Sequence, residues 1–540
     1  MPFIHQVNLV GNTREMIAKV YRCSEKETVS LLINESQLDE AALKRIEVKA
    51  SEFVEFVRKH RMDASGIDSF LNQYSLSSEE GVALMCLAEA LLRVPDKATI
   101  DDLIKDKISG ANWKEYLGQS QSLFVNAATW GLMLTGKILS PEESHSAKWS
   151  FALKRMLTRS SEGVIRTSVA QAMKIMSKQF VMGRHIKEAL KRSQTLEKQG
   201  YSYSYDMLGE AAMTEADALR YLDSYLSAID TIGKSANGKG IKAGAGISIK
   251  LSALYSRYEV ANRNEGIRVL SARLLTLAQR AKSYDIGLTV DAEEANRLDL
   301  SLDIIEKVFS DPSLNDWQGF GLAVQSYQKR AFYVLDWVAE LARKYDRRMM
   351  VRLIKGAYWD SEIKQAQMDG LVGYPVFTYK VFTDVSFHAC AKKLFTMTDA
   401  IYPQFATHNA HSVALVMELA GDCKDYEFQC LHGMGQELYS MITPKMKMNI
   451  PCRIYAPVGS HEDLLPYLVR RLLENGANSS FVNRIIDDSA PISELVESPV
   501  HKAKNFLNKI DKVIPLPKDI FGASRQNANG FDVSDYSELM

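Results

Sequence analysis

FGLAVQSYQKRAFYVLDWVAELARKYDRRMMVRLIK, Phe320–Lys355, reads as a strand, a helix and a second strand. Its ends, Phe320–Tyr327 and Met350–Lys355, are apolar runs of strand length. Between them AFYVLDWVAELARKY repeats apolar residues at spacings of three and four, the period of a helix with one buried face. A strand, a crossover helix and a strand in that order make a parallel pair.

Six further runs of the same kind surround this unit: Tyr203–Leu208, Ile247–Leu254, Ile286–Glu293, Gln404–His408, Tyr426–Leu431 and Cys452–Pro457. Roughly 15 to 50 residues separate neighbours, often helical in pattern as in SLDIIEKVF, which leaves room for a crossover helix in each gap. Eight such units predict an α/β chain folded as a (βα)8 TIM-type barrel. A doubly wound sheet would announce a nucleotide site by a glycine-rich turn that opens a helix, and neither G-x-G-x-x-G nor a P-loop occurs. Gly244-Ala245-Gly246 precedes a strand instead and reads as a flexible loop.

Upstream, from about Glu25 to Gly200, the pattern is helical, and SLSSEEGVALMCLAEALLRV (residues 75–94) shows it most clearly. Serines open that segment, Glu79 and Glu80 supply an acidic first turn, and its apolar face reads as packing. The expected organisation is a helical arm and α-domain over 1–200, a barrel over 201–490 and a C-terminal extension or linker over 491–540.

Composition narrows the function classes. Lys plus Arg equals Asp plus Glu at 66 each, which removes the broad basic field of a non-specific nucleic-acid binder, and no nucleic-acid partner is expected. Six scattered cysteines without a C-x-x-C pair suggest neither a zinc site nor a disulfide framework. MPFIHQVNLVGNTREM lacks the pattern of an export signal, and Gly81–Val94 and Ser122–Leu134 are too short and too interrupted to span a bilayer. A cytoplasmic location is expected, with peripheral contact at the cytoplasmic membrane face left open.

In a TIM barrel the chemistry gathers at the C-terminal ends of the strands. Those ends carry Asp206 and Glu210, Lys250, Asp291 and Glu293, Gln325, Arg352 and Lys355, Thr407 and His408, Leu431 and His432, and Tyr455. Taken singly, a charged strand end is more often a loop salt bridge than a ligand contact. Charges set in strands this apolar are costly to bury alone, so together they are expected to converge on one another or on a ligand. Gly356 and Ala357 follow Arg352 and Lys355 and allow close backbone approach. His408 and His411 lack a carboxylate or cysteine to complete a ligand set, so no metal is expected. LLPYLVRRLLENG places Arg470 and Arg471 on an otherwise apolar helix, and a carboxylate partner is the economical explanation.

The motifs GISIKLSAL, DAEE, VRLIKGAYWDSEIKQAQ, GYPVFT, FATHNAH, EFQCLHGMG, CRIYAPVG and YLVRRLLENGANSSFVNR occur in this order. In them the chain resembles the proline dehydrogenase domain of the bifunctional proline utilisation A flavoenzymes, from about Ser75 to the C-terminus. The resemblance implies an oxidoreductase of proline catabolism that binds FAD and oxidises L-proline to Δ1-pyrroline-5-carboxylate. It also implies a quinone electron acceptor and peripheral contact with the inner membrane. Lys250, Arg470 and Arg471 would hold the proline carboxylate, with Asp291 supporting them. Leu353, Ala357, Tyr358, Leu431 and Tyr455 would wall the ring, and Gln325, Arg352, Lys355, Gly356, Ala357, Trp359, Thr407 and His408 would contact the flavin. Asp291, Arg352 and Tyr455 are the candidate catalytic residues, and Glu210 with Arg470 a candidate gate. Tyr379 stands where relatives often carry a basic residue, which puts a phosphate contact there in doubt. Relatives can begin with a DNA-binding segment and continue into an aldehyde dehydrogenase; the ending DVSDYSELM looks like a linker. The competing reading is a flavin-free TIM-barrel lyase in which Lys250 forms a Schiff base.

Overall fold

The computed structural model describes residues 11–60, 181–443, 448–459, 467, 484–485, 490–507 and 514–539. Within them eight parallel strands close into a barrel in sequence order, β1 pairing with both β2 and β8. The strands are β1 (Tyr201–Met207), β2 (Gly246–Ile249), β3 (Leu288–Val290), β4 (Phe320–Gln325), β5 (Met349–Ile354), β6 (Ile401–Ala406), β7 (Glu427–Leu431) and β8 (Cys452–Val458). Before β1 come α1 (Asn12–Lys19), α2 (Glu25–Glu35), α3 (Glu40–His60) and α4 (Ile186–Glu197). The crossovers are α5 (Glu215–Ala236), α6 (Arg263–Ser283), α7 (Leu298–Phe309), α8 (Ala331–Lys344), the pair α9 (Trp359–Met368) and α10 (Lys380–Phe395), and α11 (Ala410–Ala420).

Local chemistry sets these boundaries. Thr214 and Asp217 form a capping box that starts α5, and Asn237 ends it in the left-handed conformation at φ 51°. Three expected strands are shorter than their apolar runs by two residues or more, β4 by two and β2 and β3 by more. Ile247–Leu254 divides: β2 stops at Ile249, Lys250 is extended, and Leu251–Leu254 makes a single helical turn. Of Ile286–Glu293 only Leu288–Val290 is strand. A short apolar run does not by itself distinguish strand from buried helical turn.

The alternation of the strands divides their side chains cleanly. Tyr203, Ile249, Val290, Val351, Leu353, Phe428 and Cys430 join the core shared with the outer helices. Ser204, Ser248, Arg352, Gln429 and Arg453 bond to one another and to neighbours inside the barrel. Such interiors are commonly filled by branched apolar residues; this one is polar. At its lower end Glu427, fully buried, accepts from Arg453 Nε (2.7 Å), Gln429 Nε2 (2.8 Å) and Gln404 Nε2 (2.9 Å). Arg453 also donates to the carbonyls of Gly244 (2.8 Å) and Lys242 (2.7 Å). The glycine segment expected as a flexible loop is therefore fastened at both ends, and a Cβ on Gly246 would lie 2.7 Å from the Gly287 carbonyl oxygen.

Helices α1, α2 and α3 pack on α8, α10 and α11, and Ile17, Val29, Leu32, Phe53 and Val54 belong to the barrel's own core. The 75–94 segment and the Arg470, Arg471 segment lie outside the described residues. Among the described residues no helix is long and apolar enough to cross a membrane.

Candidate active site

The C-terminal ends of β1, β2, β3, β5 and β8 bring five polar side chains into one connected group. Lys250 Nζ donates to Asp206 Oδ1 (2.9 Å) and Asp291 Oδ2 (3.1 Å). Tyr455 OH donates to the same Asp291 oxygen at 2.6 Å and lies 3.3 Å from Lys250 Nζ. Arg352 Nη1 donates to Asp291 Oδ1 at 2.7 Å, so both carboxylate oxygens are held by cations. The rest of the guanidinium is fixed from below by Gln429 Oε1 (2.6 Å), Ser248 Oγ (2.9 Å) and Ser204 Oγ (3.2 Å).

Burial and charge act in opposite directions here. Burial would raise the carboxyl of Asp291, but Lys250 and Arg352 prevail and hold it below the ordinary range. For Asp206 burial prevails over Lys250, and its carboxyl is raised. Burial would lower Lys250, but Asp206, Tyr455 and Asp291 outweigh it and keep the ammonium protonated well above the usual lysine range. Burial, with Asp206 and Asp291, raises the Tyr455 phenol, so it remains a donor. The arrangement offers a buried, preorganised cation whose counter-charges lie behind it. It offers no neutral amine, which a Schiff-base lysine requires.

A second group lines the mouth. Gln325 Nε2 donates to the Glu293 carbonyl (2.7 Å) and its oxygen accepts from Ala357 N–H (3.3 Å), joining the loops after β3 and β5. Gly356 has φ +146°, and a Cβ there would lie 2.4 Å from the Tyr327 ring; no other residue fits this turn. Trp359 Nε1 donates to the Phe377 carbonyl (2.8 Å), and Lys355 Nζ pairs with Asp384 (2.5 Å). His408 Nε2 accepts from Leu431 N–H at 3.1 Å, which places the ring proton on Nδ1. Thr407 Oγ1 accepts from Asn409 N–H (3.2 Å). Leu431 stands opposite Tyr455 in the β7–β8 register. Leu353 is not brought to the site: it follows Arg352 on β5, so strand alternation turns it outward, where it is fully buried in the helix-facing core.

Beside Lys355 a cavity of about 600 Å³ opens, lined by Tyr379, Lys380, Asp384, Asn409, His411 and Lys502 among others. His411 is 4% exposed, its Nδ1 has no hydrogen-bond partner, and its ring stacks on His388 at 5.2 Å. Burial lowers its pKa to about 4, so at neutral pH it offers a neutral nitrogen. Two lysines and an unpartnered buried nitrogen suit a ligand that brings phosphates and its own polar groups. The Tyr379 ring lies 5.4 Å from Phe382 and 5.8 Å from Phe506, so it builds an aromatic wall; Lys380, next in the chain, also lines the cavity.

Sequence reading had not singled out Ser204, Ser248 and Gln429, which hold Arg352, or Lys380, Asp384 and Lys502 around the cavity; His411 was weighed there only as a metal ligand. The first three stand two residues before the strand-end residues Asp206, Lys250 and Leu431, and that period-two offset was the available signal. His408 and His411, paired in the sequence, part company: one meets Leu431 and the other His388.

Comparison with known families decides between the readings of this site. The family described as proline dehydrogenase matches residues 189–484, more than half of the chain and the whole of the barrel. The chain belongs to the proline dehydrogenase family. Proline dehydrogenases are flavoenzymes, which sets aside the flavin-free lyase expected as the alternative. The bifunctional protein PutA of Escherichia coli (strain K12) is 51% identical over 555 residues, covering all of this chain and 42% of the relative. Proline dehydrogenase 1 of Bacillus subtilis (strain 168) is 25% identical over 317 residues, 58% of this chain and 91% of the relative. A crystal structure of a proline utilization A (PutA) mutant from Bradyrhizobium japonicum superposes with a TM-score of 0.75 at 44% identity, covering 96% of this chain and 52% of that one. The chain thus spans less than half of the bifunctional relative. A second family, described as the DNA-binding domain of proline dehydrogenase, matches residues 66–180. That match bears directly on the expectation of no nucleic-acid partner, and its segment lies outside the described residues.

Proposed function

We propose that this proline dehydrogenase oxidises L-proline to Δ1-pyrroline-5-carboxylate with FAD at the barrel mouth, passing electrons to a quinone at the cytoplasmic face of the inner membrane. The observation that carries the reading is the buried, mutually bonded group of Lys250, Asp206, Asp291, Tyr455 and Arg352 at the strand ends. FAD, when bound, accepts a hydride at N5 from the carbon next to the proline nitrogen. Lys250 offers its charge to the proline carboxylate, joined by Arg470 and Arg471. Tyr455, Leu431, Ala357 and Tyr358 hold the ring and exclude water, so that the neutral amine form of the substrate is oriented for transfer. Arg352, Gln325, Lys355, Gly356, Trp359, Thr407 and His408 hold the flavin, and the Arg352 charge favours the negative charge it gains. With this goes a division of the chain into a helical part over 1–200, a catalytic barrel over 201–490 and an extension over 491–540.

The test is optical. The purified chain is expected to absorb in the visible blue and to bleach anaerobically on adding L-proline, without producing NADH when NAD is present. A colourless chain, or one whose colour ignores proline, overturns the reading.

Replacing Arg470 or Arg471 with Met is expected to remove a charge-assisted contact of about 1.5–3 kcal/mol and to raise KM for proline roughly ten- to a hundredfold. Pyrrolidine, which lacks the carboxylate, is expected to be oxidised almost as before. Equal losses for both substrates would assign the arginines to folding.

A further inference from the structure

The stretch Ile514–Leu539 is fastened to the end of α9, to the N-terminal segment and, through Tyr536, to Arg263 on α6 (3.1 Å) and Asp303 on α7 (3.0 Å). Its first contact is the far end of α9. Tyr374 OH donates to the Pro515 carbonyl (2.7 Å), Asn527 Nδ2 to the Gln367 carbonyl (3.0 Å), and Gly530 N–H to the Gly370 carbonyl (3.0 Å). The two backbones touch. A Cβ on Gly530 would lie 1.6 Å from the Asp369 carbonyl oxygen, and one on Gly370 1.9 Å from that of Ala528.

Its second contact is the N-terminal segment. Three carboxylates, Asp532, Asp535 (2.6 Å) and Glu538 (2.6 Å), converge on Arg22, whose side chain is 5% exposed. Next to it the Tyr21 ring carries the Arg330 guanidinium at 3.9 Å. Arg330 in turn holds Asp299 (2.5 Å) and the Ala295 carbonyl. Ala295 belongs to the turn that follows Asp291 and Glu293, and its N–H donates to Glu362 on α9 at 2.6 Å. The ring of contacts closes there: α9 and the turn after β3 are joined directly by Glu362 and again, the long way round, through the C-terminal stretch, Arg22, Tyr21 and Arg330.

We infer that Ile514–Leu539 is a strap which, through Arg22, positions α9 and the turn after β3, and with them Tyr358, Trp359 and Asp291. The inference rests on the proline dehydrogenase reading of those three residues. Ile514 of the strap packs on the same apolar cluster as Trp359, and Arg22 reaches the turn after β3 through Tyr21 and Arg330. The strap and Arg22 are positioning elements, whose effect reaches the chemistry through backbone placement, where small displacements weaken productive binding.

The test uses the full-length holoprotein in three variants. Arg22→Met cuts the strap at its N-terminal anchor, Gly530→Val lifts it from α9 by steric overlap, and Arg22→Lys keeps the charge. Hydrogen exchange of 292–297 and 359–370 is expected to quicken about tenfold in Arg22→Met and Gly530→Val and to stay near wild type in Arg22→Lys. In the same two variants KM for proline is expected to rise about three- to tenfold with kcat within about twofold. The inference is overturned if residues 530–539 exchange faster in these variants while 292–297 and 359–370 do not. It is also overturned if KM stays at the wild-type value once the strap is loose. The exchange result stands without any activity, so a chain inactive on proline would remove the function while leaving the coupling decided.

Discussion

Lys250→Met is expected to lower kcat/KM for proline by about a hundred- to a thousandfold, because it removes a buried cation proposed to pair with the substrate carboxylate, a loss of about 3–4 kcal/mol. Wild-type Lys250 lies between Asp206 and Asp291, and its removal leaves Asp291 with Arg352 and takes from Asp206 the cation it is paired with. Asp206, whose carboxyl burial already raises, is expected to take up a proton. The Asp291 carboxyl is expected to rise as well, because Lys250 is among the charges that lower it. In the wild type its carboxyl is held below the ordinary range, so its contribution is present at neutral pH and is lost only as the pH falls through that low value. Without Lys250 the depression shrinks, and the acid limb of the kcat/KM profile is expected to move to higher pH. Steady-state rates between pH 4 and 8, with flavin content measured alongside, decide the matter. A variant within threefold of wild type and with an unmoved acid limb would remove Lys250 from the site. The same variant separates the two chemistries first considered for this barrel, since a Schiff-base enzyme would lose all turnover with no shift in pH dependence left to measure.

The second large effect is expected at Arg352. The residue is 3% exposed, and its guanidinium donates to Asp291, Gln429, Ser248 and Ser204 in a polar barrel interior. Arg352→Met exchanges that fork for a thioether of similar length and leaves these acceptors facing an apolar chain. The expected loss of stability is about 3–5 kcal/mol, seen as a lower denaturant midpoint of the holoprotein. The flavin is expected to be held less tightly as well, since the same side chain is proposed to face it. Arg352→Lys is expected to recover little, because an ammonium cannot span Asp291 on one side and Gln429 on the other. An unchanged midpoint with full flavin retention would show that the interior tolerates an apolar plug and that the polar layer is incidental.

These two residues also show what could be read before any coordinates. Arg352 and Lys250 were visible as charges at the ends of apolar runs, and the cost of burying a lone charge was enough to predict that they converge with Asp291 and Tyr455. What stood beneath them was not legible. Ser204, Ser248 and Gln429 are ordinary polar residues one strand-step further down, and nothing in their types says that they face one arginine from three different strands. Leu353 marks the reverse error. Its neighbour enters the barrel, and a resemblance carried over by position placed both in the site, but alternation along β5 sends them to opposite faces. The cavity residues Lys380, Asp384, His411 and Lys502 come from three segments separated by long stretches of chain, so only the packing of α10, α11 and the 499–506 helix on one another could assemble them.

By itself the sequence determined the repeating strand and helix order, hence the parallel barrel, and the charged strand ends that mark its active face. Both are properties of local period and of the desolvation cost of charge, which are written residue by residue. Tertiary structure alone decided that the barrel interior is a bonded polar stack, that the N-terminal helices share its core, and that the C-terminal stretch returns to grip Arg22 and α9. Those depend on which distant segments meet, and contacts between residues hundreds of positions apart leave no period in the chain to read.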